Sequence, residues 1–283
     1  MQPGRASQTA VYVAMGRAAA DGKTDVARFS DPTAMALLPD EARHRVERYL
    51  TGPPPRTLKE GWARGSLKAR AAMMVARTVA VDDAIRAAGA PQLVILGAGL
   101  DGRAWRMTEL RDAVVFEVDH PDTQRDKRSR VSSLKQAARE VRFVAVDFER
   151  DDLEASLAAA GHDPTRPTTW VWEGVVMYLR RSDIEATMQV IARRSAPGSR
   201  LIIVYVAPAL ISTLIGFIVG RLGEPLRSSF KAPEMRALLA KFGFTATHDE
   251  DLPTTAAALS PVVAHDARML RHLRTVIADR QAR

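Results

Sequence analysis

Between residues 93 and 206 the chain carries five short apolar runs, and their character limits the fold more than any other feature. They are Leu93–Leu96, Val114–Asp119, Val141–Asp147, Thr168–Glu173 and Arg200–Val206. Each is nearly continuous in apolar residues rather than alternating, as expected of strands buried on both faces of a parallel sheet. Helical patterns lie between them. Asp151–Ala160 opens on acids and closes before Gly161. Ser182-x-x-Glu185 has the form of a capping box, with Ile184, Met188 and Ile191 following on one face and Arg193-Arg194 closing the helix. Ala232–Phe242 has Pro233 near its first turn and Gly243 just past its end. Strands alternating with helices predict an α/β fold, a mostly parallel sheet with helices on both faces. One domain is expected: a helical cap over residues 1–88, a sheet core over 89–265 and a tail over 266–283. Within the cap, breaks fall at Asp31-Pro32, at Pro39 and at Thr51–Pro55, and a long helix runs from Ser66 to Ala88.

The composition of the 283 residues, 46% hydrophobic and 26% charged, excludes a disordered or collagen-like chain. There is no cysteine, which excludes disulfides, thiolate metal sites and a cysteine nucleophile; this fits a cytoplasmic protein, and no metal site is expected. The formal charge of +8 favours anionic partners or substrates. The basic runs Arg125–Arg130 and Arg43-His44-Arg45 with Arg48 are interrupted by Asp126 and Glu47 and read as solvated helix faces rather than a nucleic-acid surface. Residues 1–20 contain no continuous apolar core, so no signal peptide is expected. Leu201–Gly220 is long and apolar enough to resemble a membrane span. It reads instead as a buried strand through Val206, because it follows the turn Pro197-Gly198 and is interrupted by Pro208, with an apolar helix over 209–220. That helix is apolar at nearly every phase. It is expected to form a lid over an apolar acceptor, with a core helix or a homodimer interface as alternatives.

Chemistry concentrates where strands end. Asp119, Asp147 and Glu173 close the second, third and fourth runs, and Gly97-Ala98-Gly99-Leu100-Asp101-Gly102 follows the first. In an open α/β sheet ligands bind beyond the carboxyl ends of the strands, so these groups are expected to line one crevice. Literally, the turn matches G-x-G-x-x-G, with Glu117 and Asp119 near the spacing of a dinucleotide site, which admits an NAD(P)-dependent oxidoreductase. Asp101 inside the loop would repel a pyrophosphate. An acid-rich crevice suits S-adenosylmethionine better, since that cofactor carries an ammonium, a sulfonium and ribose hydroxyls but no phosphate.

The series Leu96–Asp101 with Arg103 and Arg106, then Phe116–Pro121 with Lys127, then Val146-Asp147-Phe148, then Trp172–Leu179 closely resembles the leucine carboxyl methyltransferase family, in particular its bacterial branch of S-adenosylmethionine-dependent methyltransferases. Arg17-Ala18, Phe29-x-Asp31-Pro32 and Ala76-Arg77-Thr78 followed by Asp82-Asp83 agree. The resemblance covers roughly residues 8–206, and the C-terminal third matches loosely. It implies a class I methyltransferase (Rossmann-like) fold, seven strands with the last antiparallel, and S-adenosylmethionine as cofactor. It further implies that Arg77 pairs with the cofactor's carboxylate, Gly97 and Gly99 shape the methionine turn, and Asp119 holds the ribose. Asp147 and Phe148 would meet the adenine, and Glu173 would lie beneath the methionine portion. Arg17 would be a second basic group nearby. Glu117 is expected to point elsewhere, on the argument that alternate strand residues face opposite sides. Gly102 stands where the family usually has threonine, which is expected to loosen the loop. The acceptor is expected to be a small molecule, more readily a carboxylate than a hydroxyl; a non-catalytic cofactor-binding protein is the third reading. Tyr178, Tyr205 and His120 are candidates for a base near the crevice, and no catalytic residue is assigned.

Overall fold

The computed structural model describes residues 7–148, 150–208 and 226–281. The five expected strands form: β1 (Gln92–Leu96), β2 (Val114–Asp119), β3 (Glu140–Ala145), β4 (Thr168–Glu173) and β5 (Arg200–Val206). They run parallel in the order β3-β2-β1-β4-β5. Two more strands complete a seven-stranded sheet, β6 (Thr245–Asp251) at the edge and β7 (Leu273–Asp279) between β5 and β6, antiparallel to both. Residues read as a tail therefore supply an interior strand, and the sheet extends to Asp279.

Successive residues of a strand point to opposite faces, and each face has its own core. Leu93, Ile95, Val115 and Ile202 pack on one side with α1 (Gln8–Ala20) and α4 (Leu58–Ala88). Val94, Leu96, Phe116, Trp170 and Ile203 pack on the other with α7 (Leu153–Ala159) and α8 (Arg181–Arg193). The remaining helices are α2 (Ala34–Leu37), α3 (Asp40–Thr51), α5 (Arg103–Arg106), α6 (Pro121–Val131), α9 (Ala232–Lys241), α10 (Leu252–Ala257) and α11 (Pro261–Ala267).

Two helix starts differ from expectation. α4 begins at Leu58, about two turns before Ser66, because Thr57 and Glu60 form a reciprocal capping box. α8 begins at Arg181: Asp183 rather than Glu185 accepts from the Arg180 N–H, at 3.3 Å, while Glu185 meets Lys241 at 2.7 Å. Leu201–Val206 is buried strand, not half of a membrane span. Among the described residues no helix is long and apolar enough to cross a membrane. The expected apolar helix over 209–220 lies outside the described residues.

Candidate active site

Strand order reverses at β1. The chain passes from β1 to β2 and β3 on one side, and to β4 and β5 on the other. Loops leaving such a switch point diverge and leave a crevice. Here the cavity holds about 520 Å³, within the range of small-molecule sites. Arg77, Gly97, Gly99, Asp119, Asp147, Phe148 and Glu173, the residues singled out in the sequence, all line it, as does Arg17.

The glycine turn is shaped by contact as much as by conformation. Gly97 (φ 69°) and Gly99 (φ 48°) take the left-handed backbone that glycine adopts without strain. A Cβ on Gly97 would also overlap the side chain of Val175, so the loops after β1 and β4 pack directly together. Backbone N–H groups of Gly97 and Ala98 both donate to Val118 O, at 2.8 and 3.0 Å. Asp119 accepts from Gly99 N–H through one oxygen and from His120 N–H, at 2.6 Å, through the other. Burial raises its carboxyl above the usual range, and those two N–H groups offset only part of that.

Beneath the turn lies a buried ionic network. Arg103 Nη1 donates to Glu173 Oε2 at 2.8 Å and to Asp101, and its Nε donates to Asp82 at 2.7 Å. Arg106 grips the same Asp82 at 2.7 and 3.0 Å. Arg17 donates to Asp31 at 2.7 Å and to Leu100 O at 2.5 Å. Arg77 Nε lies 2.5 Å from Glu173 Oε1. Four guanidinium groups thus face four carboxylates, Asp31, Asp82, Asp101 and Glu173, and the formal charges cancel. Burial alone would raise Asp101, but Arg103, Lys127 and Arg17 hold it below the usual range. Glu173 is likewise held down against burial by Arg103 and Arg77. The sequence carries a signal for this network: Arg77 and Asp82, both singled out there, are charged residues in a mostly apolar stretch of α4, although their mutual partners are not legible from it.

Several expectations change. The crevice is acid-rich as expected, but Asp101 and Glu173 are matched by arginines and do not act as free charges there. What removes the dinucleotide reading is the local fold: Gly102 opens α5, which has only four residues, so no long helix starts at the turn to receive a pyrophosphate. Gly102 does not loosen the loop. Any Cβ there would overlap Thr33 Oγ1, so Thr33 fills the space from the cap. Glu117 does point away from the cavity, but not for the reason given, because residues two apart share a strand face. It lies deeper along β2, where Lys127 meets it at 2.7 Å. Tyr205 is fully buried and donates to Asp249 at 2.9 Å, away from the crevice; burial and Asp249 raise its pKa, and it is removed as a candidate base. Tyr178 and His120 do line the cavity.

The N-terminal helix contributes more than the sequence suggested. Thr9, Ala10 and Val13 of α1 line the cavity opposite the glycine turn. A Cβ on Gly99 would meet the Ala10 methyl at 3.0 Å, so α1 seats on the turn itself. Thr9 Oγ1 is buried with no hydrogen-bond partner among the described residues. Arg77 lines the cavity too, its buried Nε beside Glu173. A buried hydroxyl and a guanidinium on the cavity wall, beside a turn that admits close backbone approach, fit a compact zwitterionic ligand with an anionic end.

A sequence model of the family described as leucine carboxyl methyltransferase matches residues 10–192. A Mycolicibacterium gilvum protein named "Putative S-adenosyl-L-methionine-dependent methyltransferase" is 36% identical over 223 residues, covering 77% of this chain and 71% of the relative. A Streptomyces coelicolor protein of the same description is 38% identical over 205 residues, covering 71% and 69%. Among solved structures, a DUF574 family protein from Streptomyces avermitilis aligns with a TM-score of 0.62 at 12% identity, over 97% of this chain and 98% of that one. A Thermobifida fusca structure described as a "putative methyltransferase" aligns at 0.56 with 16% identity, over 99% and 97%. At these identities the structures speak to the fold, which is that of class I methyltransferases.

Proposed function

This chain belongs to the leucine carboxyl methyltransferase family and is an S-adenosylmethionine-dependent methyltransferase, and from that premise we propose that it methylates a carboxylate oxygen of a small acceptor with an apolar body. The observation that carries this reading is that every carboxylate lining the cavity is already engaged. Asp101 and Glu173 face arginines, Asp119 takes two N–H groups, Asp122 meets Arg125 at 3.0 Å, and Arg150 lies 3.8 Å from Asp147. None is left as a general base. An ionised carboxylate acceptor needs none, whereas an alcohol or phenol gains from one.

When bound, S-adenosylmethionine supplies a methyl group on positively charged sulfur, and in-line displacement depends on alignment and exclusion of water. The chain's own residues divide that work. The Arg77 guanidinium would pair with the ligand carboxylate, with Thr9 on the wall of the same cavity. Gly97 and Gly99 admit the backbone close to the methionine portion, over Glu173. Asp119 accepts from the ribose hydroxyls, and Asp147 and Phe148 meet the adenine. α1 covers the turn and keeps water out. His120 Nδ1 accepts from the Asp122 N–H at 3.3 Å, which leaves the ring proton on Nε2. His120 is therefore a donor suited to orienting an acceptor carboxylate rather than a base. Val13, Ile95 and Val175 give the cavity apolar wall for the acceptor body.

The test is methyl-labelled S-adenosylmethionine with a panel of aliphatic carboxylic acids and hydroxylated aromatics. A carboxyl ester releases labelled methanol in alkali; a methyl ether does not. Alkali-labile product from the acids is expected. Alkali-stable product alone would assign a hydroxyl acceptor instead.

A further inference from the structure

Four large hydrophobic side chains stand exposed among the described residues, two at the start of α4 and two at α11. Leu58 is 96% exposed and Trp62 73%, one turn apart at the start of α4. Val262 is 58% exposed on α11 and Met269 66% in the turn that follows it. Lys68 and Asp266, 3.1 Å apart, tie these two elements together. Asp266 sits between Val262 and Met269 in sequence, and Trp62 lies only about 9 Å along α4 from Lys68. Leu58 and Trp62, four residues apart, share one face of α4. The face of α4 that carries Gly61 and Gly65 is open, since a Cβ at either would meet nothing within 4 Å.

Cations lie close by in the chain: Arg56, Lys59, Arg64 and Lys68 are exposed along the start of α4, and Arg268 and Arg271 just after α11. The acids among them are committed: Glu60 accepts from Arg56 N–H at 2.7 Å within the cap of α4, and Asp266 holds Lys68. An exposed tryptophan and leucine on one helix turn, set in lysine and arginine, are the chemistry of the water–lipid interface. A single exposed tryptophan offers no stacking row for a nucleic acid strand. A second copy meeting this patch across a two-fold axis would set its cations against their own equivalents.

We propose that the exposed start of α4 together with α11 docks the protein on the surface of an anionic lipid bilayer, Leu58 and Trp62 entering the headgroup layer while the surrounding cations meet lipid phosphates. Surface cations contribute together in such binding and salt weakens it.

Tryptophan emission provides the test, because Trp105, Trp170 and Trp172 are buried and Trp62 is not. The full chain is mixed with vesicles of phosphatidylcholine alone and with vesicles containing an equal share of phosphatidylglycerol. Anionic vesicles at low salt are expected to shift emission to the blue, protect it from acrylamide and pellet the protein, with phosphatidylcholine giving at most about a tenth of that binding. Trp62→Ala should lose the shift while circular dichroism stays unchanged, and Lys59→Glu with Arg64→Glu should lose the pelleting. The proposal is overturned if anionic vesicles neither shift nor pellet the protein, or if the charge-reversed variant pellets as the parent does. A blue shift that follows protein concentration without lipid would overturn it in favour of a second copy. Retention on an oligonucleotide but not on vesicles would overturn it in favour of nucleic acid.

Discussion

Arg103 Nη1 lies 2.8 Å from Glu173 Oε2, joining positions 70 residues apart and locking the loop after β1 to the end of β4. The same guanidinium holds Asp101 and Asp82. Removing one partner from a buried network leaves uncompensated charge, typically at about 3–5 kcal/mol. Arg103→Met is therefore expected to lower unfolding free energy by about that amount in urea titrations. Arg103→Lys, which keeps the charge but not the fork, should fall between. A methionine variant as stable as the parent would mean that the network does not hold the crevice together.

Gly102 and Thr33 make a second joint between core and cap. Because a Cβ at 102 would overlap Thr33 Oγ1, Gly102→Ala is expected to destabilise by about 1–3 kcal/mol. Thr33→Ala in the same chain should recover part of the loss. Strictly additive effects in that double-mutant cycle would show that the two positions do not touch.

Burial pushes the carboxyl of Glu117 up to about 7, with Lys127 only partly opposing it. The sign follows from linkage. A carboxyl raised in the folded state binds more protons folded than unfolded, so stability falls as pH rises from the unfolded value of about 4.3 towards the folded one, and the full penalty remains above it. Asp101 and Glu173, held low, act in the opposite sense at more acidic pH and do not overlap that window. Between about pH 5 and pH 8, wild type is expected to lose about 2 kcal/mol relative to Glu117→Gln in denaturant titrations. Parallel pH profiles for the two proteins would contradict the assignment.

Much of the fold and the crevice could be read from the chain, for reasons that individual residues make clear. Leu93–Leu96 and Leu201–Val206 are central strands, buried on both faces, and their unbroken apolar runs announce them. β6, by contrast, is Thr-Ala-Thr-His-Asp-Glu-Asp at a sheet edge, where one side faces solvent and little apolar patterning is required. β7 has only the three-residue apolar run Val276–Ala278 after Arg274-Thr275, too brief to announce a strand by itself. Cavity residues at strand ends were legible because strand order fixes where the crevice must lie. The partners of those residues were not. Arg103 and Thr33 act through contacts between segments far apart in the chain, and no local pattern marks which acid a buried arginine meets.

Arg77 carries the anionic end of the proposed ligand. Arg77→Lys retains one positive charge but loses the planar, two-pronged guanidinium on the cavity wall, and should weaken S-adenosylmethionine binding by about 1–2 kcal/mol in calorimetry. Unchanged affinity would leave Arg77 as a partner of Glu173 and nothing more.

Calorimetric titration of S-adenosylmethionine and of NAD into wild type and Asp119→Ala bears most directly on the crevice. Wild type is expected to bind one S-adenosylmethionine per chain and to give no heat with NAD. Asp119→Ala should weaken S-adenosylmethionine by about 1–3 kcal/mol, as hydroxyls lose a charged acceptor. NAD binding to wild type, or full S-adenosylmethionine affinity in Asp119→Ala, would contradict the cofactor site described for this sheet.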